Sequence, residues 1–280
     1  MAGLAYVLEE KPRELAAKRR FLERPSVRGA VFGLAANLVA FRFVPTVVTS
    51  FTPLPWIAGA LALVLLSAAQ GLRWWLAAIV RDQLVRRGVP SWAGFAIGVY
   101  AGTFFPMVFP WNPAGGATPW PAMVQLADVV GERGVSALMA LTAALFAHAI
   151  RHRGDRPRAL KLAVAGALVP LATLAHGAWR MASIEAVRAS APTVKIALVQ
   201  PSIGATERWE RARAESIVTK LTALTKSAES KAPALTIWPE AAYPFVLQHA
   251  SRRSPIGGWA ILQEGVRGPV LTGAVMSDGT

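Results

Sequence analysis

The sequence predicts a polytopic α-helical membrane domain followed by a partial α/β domain, and three observations carry that prediction. The 280 residues are 54% hydrophobic and 16% charged, with a mean hydropathy of +0.39, too apolar for an ordinary soluble domain. The formal net charge of +14 is gathered in the apolar part: 20 basic and 9 acidic residues precede residue 193, against 10 and 7 from there on. From residue 194 the long apolar runs give way to short β-rich runs separated by a helical stretch.

Residues 1–28 read as a basic cytoplasmic lead, amphipathic or frayed. The apolar run at 3–8 is too short for the core of a signal peptide. Residues 29–182 form a membrane domain of about five transmembrane helices, at 29–49, 54–72, 91–109, 123–150 and 160–179, each near the ~20 residues a bilayer needs. Arg42 and Pro45 interrupt the first, and the fourth begins polar with Asp128, Glu132 and Arg133. Residues 183–192 read as a linker, and 193–280 as the extracytoplasmic domain.

The loops sort by charge. Lys11 to Arg28 precede the first span; Arg73, Arg81, Arg86 and Arg87 fall between the second and third; Arg151 to Lys161 fall between the fourth and fifth. The intervening loops at 45–53 and 110–121 hold no Lys or Arg. Basic loops stay cytoplasmic, so an odd number of spans carries residues 193–280 to the other side. The same distribution argues against nucleic acid as a partner, which calls for basic residues clustered on one soluble face with aromatics among them. Seven of the ten tryptophans, Trp56, Trp74, Trp75, Trp92, Trp111, Trp120 and Trp179, flank spans as an interfacial belt does. The four histidines are scattered without metal-ligand spacing, which assigns no metal, and no P-loop, dinucleotide fingerprint or G-x-S-x-G elbow is present.

In the C-terminal part, 194–199 reads as a strand buried on both faces and 206–230 as a helix with Trp209, Ile217, Leu221 and Leu224 on its inner face. A second strand follows at 235–238, then a loop at 243–248, a partial helix at 252–264 and a third strand at 269–276. This β–α–β order implies parallel or mixed pairing with helical crossovers. The second strand ends in a carboxylate, Ile237-Trp-Pro-Glu240. Such a residue serves either as a general base fixed by neighbouring backbone, its pKa raised by apolar walls, or as an ordinary acid capping the next turn. Asp128, Glu132 and Arg133, one helical turn apart, either form a locally paired polar helix end or line an entry between bilayer and outer domain.

Ala197-Leu-Val-Gln-Pro201, Trp209, Ile237-Trp-Pro-Glu-Ala241 with Pro244 behind it, and Val270-Leu-Thr-Gly-Ala-Val275 follow one another in the C-terminal part. Together these segments resemble the bacterial apolipoprotein N-acyltransferases, membrane-anchored members of the nitrilase, or carbon–nitrogen hydrolase, superfamily. Upstream, Phe109-Pro-Trp111 and Gln125-Leu-Ala-Asp-Val-Val-Gly-Glu-Arg-Gly-Val-Ser136 resemble that family's membrane part. The resemblance implies that 193–280 is the first part of an αββα nitrilase-like sandwich with an open sheet edge. It also implies a chain truncated at its C-terminus and short of the family's first two spans. Of the family's Glu, Lys and Cys, the Glu maps onto Glu240; the Lys and Cys lie further downstream in family members, and these 280 residues hold no cysteine.

By the same resemblance, the expected reaction needs no cofactor. A Cys attacks an ester of a membrane phospholipid, the acyl donor, and forms a thioester. The α-amino group of a diacylglyceryl-apolipoprotein, the acceptor, then takes the acyl chain. Glu240 is expected to remove the proton first from the thiol and then from the amine, with Trp238 and Tyr243 beside it contacting substrate. The implied setting is the bacterial inner membrane with a periplasmic outer domain, and the chain alone is expected to be inactive. Two rival readings stand beside this one: a non-catalytic subunit or remnant of a split enzyme, paired with a separately encoded C-terminal half, and a scaffold or transporter-like protein whose outer domain only binds.

Overall fold

The computed structural model describes residues 1–9, 23–204, 207–249, 253 and 255–277. The chain divides into two compact units, Met1–Ala189 and Ser190–Thr280.

The first unit is helical. After α1 (Ala2–Leu8) come α2 (Pro25–Ala40), α3 (Val44–Phe51), α4 (Trp56–Arg86) and α5 (Ser91–Gly102). A 3₁₀ turn at Pro113–Ala117 and one helical turn, α6 (Pro121–Val124), lead to α7 (Ala127–Arg151) and α8 (Arg156–Ser190). Three of these helices, α4, α7 and α8, are long and apolar enough to cross a membrane, and α2 with α3 adds a fourth if that pair, bent by 51°, is one span. The bend falls at the Arg42–Pro45 interruption, where a proline supplies no N–H to the ladder.

The expected span at 91–109 is helical only over the 12 residues of α5, about 18 Å at the rise of an α-helix. Pro106 and Pro110 stop it, and side chains of α4 take up the freed backbone. Gln70, 2% exposed, donates from Nε2 to the Phe109 carbonyl and accepts from the Val108 N–H, both at 2.9 Å. Non-helical backbone at membrane depth requires such partners. Consequently α4 runs unbroken through Arg73 and Arg81, which sit within the helix and not in a loop. Arg73 bonds the Trp111 carbonyl and Met107 Sδ, and Arg81 is buried against Ser91 and Glu9. Trp74 likewise lies in the helical core and not at an interface.

Small residues set the helix spacing. Gly33 of α2 lies against the backbone of Gly71 in α4, and Gly98 of α5 lies against the Ala77 carbonyl. Such close backbone approach supplies the dispersion contacts that hold apolar helices together where no hydrophobic drive exists. The lead is ordered where it is described: Leu4, Ala5 and Leu8 are buried beside Ala140, Ala144 and Ala147 of α7, and Glu9 joins Arg81, Ser91 and His148. Lys11, Arg13, Lys18, Arg19 and Arg20 fall outside the described residues. At the other end of the unit, the segment expected as a linker from 183 is helix up to Ser190, a continuation of α8.

The second unit contains β1 (Ile196–Leu198), α9 (Ala214–Glu229), β2 (Leu235–Ile237), β3 (Tyr243–Gln248), β4 (Val270–Leu271) and β5 (Ala274–Ser277). Strands β1, β2 and β4 form one parallel sheet with β2 central; β3 and β5 form a second parallel pair. The stretch expected as a loop at 243–248 is thus strand β3, its Tyr-Pro-Phe-Val-Leu-Gln carrying β-favouring aromatics and Val. The partial helix expected at 252–264 is, where described, a single 3₁₀ turn at Gly257–Trp259. Helix α9 buries Ile217, Val218, Leu221 and Thr225 on Val199, Trp238 and Tyr243, whereas Leu224, expected inside, is 37% exposed. Trp209 has no described side chain. Strand β1 is covered on one side only, since Ile196 and Leu198 are 49% and 77% exposed.

Candidate active site around Glu240

Strand β2 fixes the approach to Glu240. The Val199 N–H donates to the Ile237 carbonyl and the Trp238 N–H to Leu271, each at 2.9 Å, so the strand is held from both sides up to its last residue. Trp238, 2% exposed, turns into the core, where its indole Nε1 donates to Thr225 Oγ1 at 2.8 Å. That hydroxyl in turn donates to the Leu221 carbonyl at 2.8 Å. Trp238 therefore anchors the strand end to α9, and it also lines the groove at the ends of β1 and β2.

Pro239 then starts a turn, closed by the Ala242 N–H donating to the Pro239 carbonyl at 3.2 Å. Glu240 stands at its apex with an exposed side chain, so the expected enclosure by apolar walls is not met within this chain. Ala241 follows in the left-handed region at φ 50°, a conformation that costs an L-residue about 1–2 kcal/mol and persists only where surroundings over-determine it. The Glu240 carbonyl accepts from Arg208 Nη1 at 3.4 Å.

Arg208 is shared by two grooves that flank this turn. One, of about 430 Å³, runs past the ends of β1 and β2 along Gln200, Pro201 and Pro239. The other, of about 760 Å³, is walled by Arg211 and by Tyr243, Phe245 and Trp259. Tyr243 contributes ring to the larger groove, but its hydroxyl donates to the Trp259 carbonyl at 2.7 Å and burial pushes its pKa up. The carboxylate lies at the C-terminal ends of parallel strands, where open α/β sheets bind their ligands. Sequence reasoning missed Arg208 although it stands next to Trp209, one of the residues that carry the family resemblance.

The polar cluster of the first unit is not one helical face. Gly131, at φ 68° and ψ 167°, breaks α7 between Asp128 and Glu132. Asp128 pairs with α8, its Oδ2 2.6 Å from Arg180 Nε and its Oδ1 3.8 Å from His176 Nε2. Arg133 instead lies over the Phe104 ring, 4.1 Å from its centroid. Asp128 and Arg133 thus contact separate elements where one of the two readings has them pairing locally, because the kink redirects the residues on either side of it.

A family model described as the apolipoprotein N-acyltransferase N-terminal domain matches residues 7–145. Proteins named apolipoprotein N-acyltransferase are similar to this chain. The one from Brucella suis biovar 1 (strain 1330) is 33% identical over 190 residues, 66% of this chain and 34% of that protein. The one from Allorhizobium ampelinum is 35% identical over 191 residues, again 66% and 34%. The one from Geobacter metallireducens is 31% identical over 258 residues, 86% of this chain and 47% of that protein, and so reaches beyond the helical unit into Ser190–Thr280. The chain thus spans between a third and a half of the length of these relatives. With the match to the helical unit, the likeness continuing past it and the strand–turn carrying Glu240 all in the same order along the chain, this chain is similar to the apolipoprotein N-acyltransferases over most of its length.

Proposed function

We propose that these residues supply the membrane domain and the first part of a nitrilase-like catalytic domain of an apolipoprotein N-acyltransferase, with Glu240 as general base. The single observation that carries the reading is the placement of Glu240: an exposed carboxylate on a braced turn at the C-terminal end of the central strand of a parallel sheet, between two grooves. Arg208 donates to the backbone carbonyl of Glu240 and not to its carboxylate.

In the proposed reaction a cysteine thiol loses its proton to Glu240 and attacks the ester carbonyl of a membrane phospholipid. The acyl–oxygen bond breaks, a thioester forms, and the proton passes to the leaving alkoxide. The α-amino group of the diacylglyceryl-cysteine of an apolipoprotein then attacks the thioester, Glu240 takes its proton, and the thiolate leaves and is reprotonated. A lysine stabilises the oxyanion in both halves. These 280 residues hold no thiol, so the nucleophile and the lysine are assigned to residues outside them.

The nitrilase-like sandwich draws support from the sheet itself. Register places Leu198, Ile237 and Leu271 in one row, and Leu198 and Leu271 are 77% and 57% exposed. An apolar sheet face left this open calls for a second layer. For location, the apolar helices support a membrane protein, and the basic loops orient it with Ser190–Thr280 in the periplasm of a double-membrane bacterium. Asp128, Arg180 and Arg133 belong in this reading to the polar outer end of the helical unit.

The test is apolipoprotein acylation in membranes, with the chain alone and with a C-terminal half supplied from a relative. The chain alone is expected to be inactive and the supplemented chain active. Glu240→Gln keeps the shape but accepts no proton, so the restored rate is expected to fall at least ~10²-fold. Restored activity that survives the substitution refutes the base assignment.

A further inference from the structure

Two strands leave the three-stranded sheet at the same place. β2 passes through Pro239–Ala242 into β3, and β4 passes through Thr272 and Gly273 into β5. Since β2 pairs in parallel with β4, and β3 with β5, the two crossings run side by side in the same direction. Their apices meet backbone on backbone. A Cβ built on Gly273 would lie 2.7 Å from the Ala241 nitrogen, 3.1 Å from Glu240 Cα and 3.4 Å from the Glu240 carbonyl carbon. Hydrogen bonds bracket the contact: Trp238 N–H to the Leu271 carbonyl at 2.9 Å before it, and Tyr243 N–H to the Gly273 carbonyl at 3.4 Å after it.

We propose that Gly273 is a positioning residue for Glu240: the missing side chain lets the β4–β5 crossing press against the Glu240–Ala241 turn and fixes the direction in which the carboxylate leaves the backbone. The inference rests on the assignment of Glu240 as base. Packing alone would be indifferent to which atoms Gly273 meets, but here two of the three belong to Glu240 itself and the third to the next residue. Backbone atoms cannot rotate away as a flexible side chain would, so an added methyl moves the turn. The side chain of Glu240 is exposed and has no hydrogen-bond or ion-pair anchor among the described residues, hence displacement of its Cα passes directly to the carboxylate. Ala241, in the left-handed region, is the residue that Gly273 meets next to Glu240.

In the chain supplemented with a relative's C-terminal half, Gly273→Ala is expected to lower kcat about 10- to 100-fold with KM for the phospholipid donor within about 2-fold, as about 1 Å of misplacement does. The acid limb of the pH–rate profile is expected to move as well. Gly258→Ala is the control, because nothing lies within 4 Å of a Cβ there. Ala241→Gly adds no atoms, removes the cost of the left-handed position and opens the turn to other backbone conformations. It is expected to slow the reaction several-fold and to be non-additive with Gly273→Ala, since both act on one turn. A readout independent of activity is the carboxyl carbon-13 titration of Glu240, its signal identified by loss in Glu240→Gln. That titration is expected to change in Gly273→Ala and Ala241→Gly but not in Gly258→Ala. Unchanged rate and titration in both turn variants overturn the proposal, and Ala241→Gly decides alone if Gly273→Ala does not fold. If Glu240→Gln instead keeps its rate, the base assignment falls while the titration still tests the positioning.

Discussion

Trp238 shows how a residue inside a family-like motif is consumed by structure. Its indole N–H, buried with the rest of the ring, has one partner, Thr225 Oγ1. Thr225→Val keeps the volume and removes that partner, leaving a buried donor unsatisfied, and is expected to destabilise the second unit by about 1–3 kcal/mol. Thr225→Ser, which keeps the hydroxyl, is expected to cost much less. Urea unfolding of the second unit followed by tryptophan emission compares them, and equal stability of Val and wild type would remove the anchoring role. Tyr243 carries a second residue-scale expectation. Burial raises its pKa, so the folded state holds the phenol neutral beyond the pH, near 10, at which an unfolded tyrosine ionises. Its contribution to stability is therefore complete below about pH 10 and is lost as pH rises through the raised value. The chain has three tyrosines, so a Tyr6→Phe, Tyr100→Phe background isolates Tyr243. Phenolate absorbance in that background should appear only above the ordinary tyrosine range, and its appearance at pH 10 in folded protein would contradict the burial argument.

Among the elements, the close helix crossings carry the clearest expectation. Gly98 lies against the Ala77 carbonyl of α4, with no room for any side chain. Gly98→Leu must push α5 off α4, and because α5 leads into the irregular backbone that Gln70 satisfies, the Phe109 contact is strained with it. The expected result is a lower melting temperature in detergent for Gly98→Leu, whereas Gly154→Leu, in open space, leaves it unchanged. These crossings also show what a linear reading reaches. The long apolar helices, the strands at 196–198 and 235–237 and the break at Arg42–Pro45 were legible, because apolar runs and prolines act locally, whereas β3 was not. The length of α5 was not, since a run of apolar residues from 91 to 109 looks the same whether it is helix or irregular backbone fed by Gln70 from another helix. Arg73 and Arg81 read as loop charges because their burial depends on partners at Trp111, Ser91 and Glu9, far along the chain. Asp128 and Arg133 were placed on one face for want of the Gly131 conformation, which a glycine permits but does not announce. At the candidate site Glu240 was legible as a strand-end acid. Arg208 and Gly273 were not, because both act by touching the backbone of Glu240 across 32 and 33 positions of sequence.

For the molecule as a whole, the charge distribution makes the most exposed claim. Arg86 and Arg87 end α4, and Arg151, Arg153, Arg156 and Arg158 surround the turn between α7 and α8. The irregular stretch between α5 and α7 holds no basic residue before Arg133. If basic ends face the cytoplasm, then α8, starting at Arg156, leads outward, and Ser190–Thr280 follows it to the opposite side. This holds whether α2 with α3 counts as one span or none, because the orientation of α8 is fixed by the arginines at its own start. The native chain has no cysteine, so a single engineered thiol reports without background. With a membrane-impermeant maleimide added to intact cells whose outer membrane admits it, Gln248→Cys is expected to label and Asp155→Cys to remain unlabelled until the inner membrane is opened. Both positions are exposed, so failure to react reports sidedness and not burial. Strong labelling at 155 with none at 248 reverses the topology. It would also place Glu240 on the side away from the diacylglyceryl-apolipoprotein assigned here to the periplasm, and the proposed acyl transfer would fall with it.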